Sequence, residues 1–165
     1  MPPKITIVDA GSGAFSVSMI RDLCLTRNLE GSTVCMMDID SARLEGAYTV
    51  CTRYAQELGF HLNIENTLDP RAALQGADFI INTALAAPHE RLQQGWEIAR
   101  SLGYNWGGSF HVMYDEAFWV NFYQLRMMEF YIELGLQVCP QAYHLMVANP
   151  VLAGTTHLYR KYPQA

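Results

Sequence analysis

Ile5-Thr6-Ile7-Val8, followed by the turn Asp9-Ala10-Gly11-Ser12-Gly13, is the stretch whose reading decides the fold. The first four residues make a short apolar strand, the next five a glycine turn, and residues 14–27 carry helix-type spacing. A second apolar strand, Val34-Cys35-Met36-Met37, ends on Asp38. Strand, glycine turn, helix, strand and terminal acid is an arrangement suited to gripping a dinucleotide. Bare backbone at the turn lets a pyrophosphate approach, and the helix N-terminus offers unpaired N–H groups with positive dipole. The acid takes the ribose hydroxyls and repels a 2′-phosphate, so NAD is expected rather than NADP. Gly11, Ser12, Gly13 and Asp38 are therefore the first candidate cofactor residues.

The turn departs from the intact G-x-G-x-x-G pattern. With Gly11 as its second glycine, the first position is Asp9 and the third falls near Ala14. Asp9 sets a carboxylate where a pyrophosphate would approach, which is unfavourable unless the side chain faces away or is paired. The same residues also read as a packing turn with no ligand, and Asp38 as a helix-capping or solvated loop acid.

Working outward, Gly31-Ser32 punctuates before the second strand, and Asp40-Ser41 starts a long helix stopped by Gly59. That helix carries Leu44, Ala47, Tyr48, Cys51, Tyr54, Ala55 and Leu58, while the first carries Phe15, Met19, Leu23 and Cys24. A short alternating strand at 62–65 and a brief helix at 70–75 follow. Asp78-Phe79-Ile80-Ile81-Asn82-Thr83 reads as a buried parallel strand that places Asn82 at its carboxyl end. A helix is expected over 92–102 and a loop over 103–109. Residues 115–136 read as a long helix, apolar nearly all round, including Phe118, Trp119, Phe122, Phe130 and Tyr131. Such a helix is buried on several sides, and part of it is expected to meet another subunit or another domain. A fifth strand at 143–147 ends at Asn149-Pro150, where a last helix begins. Strands alternate with helices and no hairpin signal appears. The expected fold is α/β, a doubly wound parallel sheet of about five to six strands, Rossmann-type, spanning 1–165 as one domain.

Composition narrows the function classes. Of the 165 residues 50% are hydrophobic and 16% charged, which marks a globular chain. A net charge of −5 without a basic run argues against nucleic acid and anionic membrane surfaces. No apolar stretch approaches the roughly 20 residues of a membrane span. The start, Met1-Pro2-Pro3-Lys4, runs straight into a strand, so no signal peptide is expected and a cytoplasmic location is the default. Cys24, Cys35, Cys51 and Cys139 have neither disulfide nor zinc spacing and read as buried thiols.

These motifs together resemble the N-terminal part of glycoside hydrolase family 4, the NAD-dependent glycosidases, of the α-glucosidase and α-galactosidase type. The resemblance covers essentially the whole chain. It rests on the opening Ile5–Ser12 and on Met37-Asp38-Ile39-Asp40 with Arg43-Leu44. Further on it rests on Gly76-Ala77-Asp78-Phe79-Ile80-Ile81-Asn82-Thr83 and on Ala148-Asn149-Pro150-Val151. It implies that bound NAD+ oxidises the sugar 3-hydroxyl to a ketone and so acidifies the C2 proton. A tyrosine-type base removes that proton and a divalent metal, expected to be Mn, stabilises the enediolate. The leaving group is then eliminated, water adds back, and the hydride returns. Gly11 and Ser12 match the pyrophosphate turn, Asp38 the ribose acid, and Asn82 an asparagine near the nicotinamide ribose. Asn149 matches a residue that touches substrate hydroxyls, although it also reads as a helix N-cap before Pro150. Arg91 lies where relatives place a substrate-binding arginine, while His89 and Glu90 beside it read as loop residues.

Two features depart from the family. Asp9 replaces its first glycine, and the Cys-His metal pair expected after the N-P pair has no counterpart here. His61, His111, His144 and His157 show no metal spacing and read as surface or packed imidazoles. The chain is thus expected to carry the cofactor half and one wall of a glycoside pocket. It should have no catalytic or metal residue of its own, no turnover alone, and a tendency to self-associate through 115–136. Two alternatives stay open: the nucleotide domain of a lactate/malate-type dehydrogenase, and a non-catalytic oligomerising domain whose altered turn holds no cofactor.

Overall fold

The computed structural model describes residues 2–86, 89–104 and 118–165; the side chains of 89–92 and 118–121 also lie outside that description. Residues 105–109 of the loop expected over 103–109, His111 and the first residues of the long helix fall outside it as well. Five strands form one parallel sheet: β1 (Lys4–Val8), β2 (Thr33–Met37), β3 (Asn63–Thr67), β4 (Phe79–Asn82) and β5 (Tyr143–Met146). Their spatial order is β3-β2-β1-β4-β5. The helices are α1 (Gly13–Cys24), α2 (Ser41–Glu57), α3 (Pro70–Leu74), α4 (His89–Ser101), α5 (Phe118–Val138) and α6 (Val151–Lys161). Chain order runs outward from β1 to β3, then jumps across to β4 and β5. A topological switch point therefore lies between β1 and β4, where a crevice opens at the carboxyl edge of such sheets.

Period-two alternation in the central strands feeds two cores. Ile7 on β1 and Val34 and Met36 on β2 face α1 and α2, packing with Ile20, Leu44, Ala47 and Cys51. Val8, Cys35, Met37 and Ile80 point the other way, onto α3 and α5 through Ala73, Leu74, Tyr131 and Leu134. The doubly wound Rossmann-like expectation holds. Thr6 is fully buried, and its hydroxyl donates to the Ala73 carbonyl at 2.8 Å, tying α3 to β1. All four cysteines are buried and unpaired. Burial pushes the Cys35 thiol up to about 12, which leaves it a packing group rather than a nucleophile.

Some expectations need correction. β4 is not uniformly buried, because Phe79 and Ile81 on one face stay half-exposed. The inner stripe of α1 is Ser16, Ile20 and Cys24 rather than one through Phe15, which is 49% exposed. The Ser16 hydroxyl donates to the Ala10 carbonyl at 2.7 Å, and that bond turns Ser16 inward. In α5 the polar and apolar sides are partly exchanged. Gln124 and Glu129 are buried, whereas Phe122 and Phe130 are exposed. Glu129 accepts from Lys161 at 2.9 Å and pairs with His157 at 2.6 Å, fastening α6 to α5. The Lys161 hydrogen bond, then the His157 one, lowers the Glu129 carboxyl below its ordinary range. Among the described residues no helix is long and apolar enough to cross a membrane.

Gly135 shows how closely α5 approaches the sheet. A Cβ there would lie 2.6 Å from Cε1 and 2.7 Å from Nε2 of His144 on β5. Gly135→Ala gains about 1 kcal/mol of helix propensity and loses about 1–3 kcal/mol to overpacking. The thermal midpoint is therefore expected to fall, and a rise in a melting scan would show that the His144 ring swings clear at no cost.

Candidate functional site

The crevice is built where β1, β2 and β4 end together. Val8 is in register with Met37 on one side and Asn82 on the other, so Asp9, Asp38 and Thr83 leave the sheet side by side. Asp9 takes a left-handed backbone, φ 69°, which side-chain-bearing residues rarely adopt and glycine adopts freely. Its position is that of the missing first glycine. The Ala10 amide then donates to the Met37 carbonyl at 2.9 Å and holds the turn against β2.

Asp38 is the pivot of the turn. Only 1% exposed, it accepts from the Gly11 amide at 2.7 Å through Oδ2 and from the Asp40 amide at 2.8 Å through Oδ1. Gly11 is required by space: a Cβ there would sit 2.6 Å from Asp38 Oδ2 and 2.9 Å from the Arg43 Cβ. Helix capping falls to Asp40, whose Oδ1 accepts from the Ala42 and Arg43 amides at 3.0 and 3.1 Å. The capping alternative for Asp38 is thereby excluded. The adjoining Asp9 carboxyl competes for the acceptor positions that Asp38 has left, which otherwise suit a hydroxyl donor.

Ser12 and Gly13 open α1. Ser12 sits at the N-cap, yet its side chain makes no capping bond. The Gly13, Ala14 and Phe15 amides have no acceptor among the described residues. An added Cβ on Gly13 would meet nothing within 4 Å, so open space lies above this end of the helix. Three unpaired N–H groups with the helix dipole behind them suit an anion.

Across the switch point stands Asn82, 3% exposed. Its Oδ1 accepts from the Ala84 amide at 3.0 Å, which leaves Nδ2 buried and without a partner among the described residues. Its backbone carbonyl accepts from the Val147 and Ala148 amides at 3.0 and 2.9 Å, drawing the end of β5 and the half-buried Asn149 alongside. Asn149 is not the helix cap. Pro150 holds that position with no side-chain cap, so the capping alternative fails because α6 begins one residue later. Arg91 falls in the first turn of α4, with its side chain outside the described residues.

Charge is unevenly balanced at the turn. Burial first, and then the adjoining Asp38 carboxylate, push the Asp9 carboxyl up to about 6, while Arg43 acts in the opposite direction. Tyr131 of α5 lies beneath, its hydroxyl 3.8 Å from the Met37 sulfur. Burial, with Asp9 and Asp38 adding to it, drives that phenol up to about 12. Among the described residues no group of three or more His, Cys, Asp or Glu side chains comes together to hold a metal ion.

One polar participant, Gln124, escaped the sequence reading, as did the left-handed backbone of Asp9. Gln124 could have been flagged, since an amide in an apolar helix needs partners wherever it is buried. It donates through Nε2 to the Ala84 carbonyl at 2.7 Å and accepts through Oε1 from the Ala86 amide at 2.8 Å.

A Rossmann-like domain, with its switch point between β1 and β4 at the carboxyl edge of the sheet, is the class that this geometry defines. The family follows from comparison with known proteins. The profile of the Family 4 glycosyl hydrolases matches residues 4–165, and the chain belongs to glycoside hydrolase family 4. It is 25% identical over 176 residues to an alpha-glucosidase of Erwinia rhapontici, covering 99% of this chain and 36% of that protein. The fold is shared with a 6-phospho-alpha-glucosidase from gut microorganisms solved in complex with NAD and Mn2+. That match has a TM-score of 0.77 at 21% identity and covers 99% of this chain and 36% of that one. It is also shared with the 6-phospho-beta glucosidase of Thermotoga maritima solved with manganese, NAD+ and glucose-6-phosphate. There the TM-score is 0.80 at 16% identity, covering 98% of this chain and 38% of that one. The chain thus spans about 36% of the length of the curated relative it matches along its whole extent. Membership of this family replaces the dehydrogenase alternative.

The raised Asp9 carboxyl sets a pH dependence. Between its ordinary value of 3.8 and about 6 the folded chain holds a proton that the unfolded chain releases. Stability therefore falls as pH rises through that window and stays lower above it. Asp9→Asn should raise the thermal midpoint more at pH 7.5 than at pH 4. Solvent screening limits the difference to on the order of 1 kcal/mol, or about 2–4 °C. Equal gains at both pH values would show that relief of the left-handed backbone is the whole effect.

Proposed function

We propose that this chain is the NAD-binding portion of a glycosidase that cleaves glycosides by NAD- and metal-dependent oxidation and elimination at sugar C3 and C2. One observation carries the reading. The uncapped start of α1, the buried Asp38 and the unpartnered Nδ2 of Asn82 lie along one sheet edge, as the two ends and the middle of a dinucleotide require. NAD+, when bound, accepts a hydride from the sugar and later returns it.

The residues of the chain bind and orient. The Gly13, Ala14 and Phe15 amides, with Ser12 beside them, take the pyrophosphate oxygens, and Gly11 keeps the turn thin enough for that approach. Asp38 offers its remaining acceptor positions to the adenosine ribose hydroxyls. Asn82 donates Nδ2 to an oxygen of the nicotinamide ribose, and the substrate hydroxyls are assigned to Asn149 and Arg91. No proton transfer is assigned to a residue of this chain. The described residues also supply no ligand set for a divalent metal, so no step is routed through one. Alone, the chain is expected to show no glycosidase turnover. Exposed Phe122 and Phe130 on α5 give it a surface for self-association, checked by sedimentation.

Calorimetric titration with NAD+ and NADP+ is the deciding experiment, with micromolar NAD+ binding and weaker NADP+ binding expected. No binding of either would leave an altered turn on a non-catalytic, self-associating domain. Asp38→Ala should narrow the preference for NAD+ over NADP+ about tenfold, since a carboxylate beside a 2′-phosphate is repulsive. An unchanged ratio would remove Asp38 from the ribose role. Asp9→Gly should tighten NAD+ binding, because it clears a carboxylate from the anion site and suits the φ of 69°. Weaker binding in that variant would mean that Asp9 contributes to the site rather than obstructing it.

A further inference from the structure

Gln124 is fully buried in a helix whose neighbouring positions are largely apolar. Both ends of its carboxamide are spent on one short piece of backbone. Nε2 donates to the Ala84 carbonyl at 2.7 Å and Oε1 accepts from the Ala86 amide at 2.8 Å. That piece is the exit from β4. On its other side the Ala84 amide donates to Asn82 Oδ1 at 3.0 Å. A single peptide segment thus connects the two carboxamides, and its position fixes how the Asn82 side chain is turned.

The orientation has one consequence. With Oδ1 committed to Ala84, Nδ2 faces the other way and is buried without an acceptor among the described residues. An unsatisfied buried donor is costly in a folded protein and marks a place where a ligand oxygen completes the bonding. Were the 84–86 backbone free to shift, the Asn82 amide could turn away from this orientation. The clamp prevents this. Asn82 cannot drift as a whole either, since its own carbonyl accepts from the Val147 and Ala148 amides.

We propose that Gln124 is a positioning residue for the cofactor. By clamping the Ala84–Ala86 backbone from α5, it holds the Asn82 carboxamide with Nδ2 presented to an acceptor oxygen on the nicotinamide side of the bound dinucleotide. This inference rests on the NAD-binding reading above and goes beyond it, because Gln124 touches no ligand. Its effect is confined to one half of the cofactor, since the adenosine diphosphate half is held by α1 and Asp38.

The test is a double-mutant cycle read by calorimetry with two probes, NAD+ and ADP. Gln124→Leu should weaken NAD+ binding about tenfold and leave ADP affinity unchanged, and Asn82→Ala should do the same. In the Asn82→Ala background, Gln124→Leu should cost nothing further. Additive losses, or equal losses for NAD+ and ADP, would overturn the proposal and make Gln124 a packing residue. Gln124→Glu keeps shape and volume and guards against a misfolded leucine variant. Its carboxyl can donate to the Ala84 carbonyl only when protonated. NAD+ affinity relative to wild type should then recover as pH is lowered toward 5, and a pH-independent deficit would contradict the clamp. Failure of wild type to bind NAD+ while it binds ADP would count against the parent reading and the clamp together. Wild-type NAD+ binding with silent Gln124 variants would sink the clamp alone.

Discussion

The contact between the buried Asp38 carboxylate and the amides of Gly11 and Asp40 governs the geometry of the whole cofactor edge. Charge-assisted bonds of this type are short and strong, and here they join two segments far apart in sequence. One oxygen fixes the β1–α1 turn and the other fixes the β2–α2 junction. The start of α1, the end of β2 and the start of α2 therefore move as one body. The bond also explains Gly11 directly, since any larger residue would push its Cβ into the carboxylate that anchors it. A pyrophosphate site and a ribose site thus share a single structural cause.

The strands, their parallel order and the glycine turn were open to sequence reasoning because each follows from a local rule. Ile5–Val8 and Val34–Met37 lie at the sheet's centre and are apolar on both faces, as centrally buried parallel strands must be. Strand and helix spacing then fixes the winding. The errors have equally specific causes. Phe15 fits helical spacing yet stays exposed, because Ser16 takes the inner position next to it and bonds its hydroxyl to the turn. Apolar content alone also misled along α5, where buried Gln124 and Glu129 are each satisfied by partners distant in sequence. Periodicity carries no information about such partners. Of the site, Asp38 and Asn82 were visible as strand-end polar residues. The direction in which Asn82 points depends on Gln124, 42 positions later, and no local pattern conveys it.

Asp9 is the point where local preference and tertiary structure disagree. A non-glycine residue at φ 69° costs backbone energy, and a half-buried carboxyl next to Asp38 costs electrostatic energy. Both terms act at the same residue, and neither is offset by a hydrogen-bonded cation; Arg43 only moderates the charge. Such a concentration of unfavourable terms in a sequence that is otherwise locally consistent is typical of positions tied to a site rather than to the core.

The two sides of the crevice are held by different means, and this bears on how the cofactor would be read. On the adenosine side the proposed ligand groups belong to the anchoring network itself, so Asp38 both builds the turn and is the proposed acceptor for the ribose. On the nicotinamide side the roles are divided. Asn82 faces the ligand, while the backbone of 84–86 and Gln124 set its direction from behind. A site of the first kind tolerates little change, because every substitution alters frame and contact at once. A site of the second kind can be adjusted through the supporting residue without changing the atom that meets the cofactor. In the proposed reaction the nicotinamide end is also where hydride would leave and return, so a donor held from behind can set distance there while the adenosine end supplies grip.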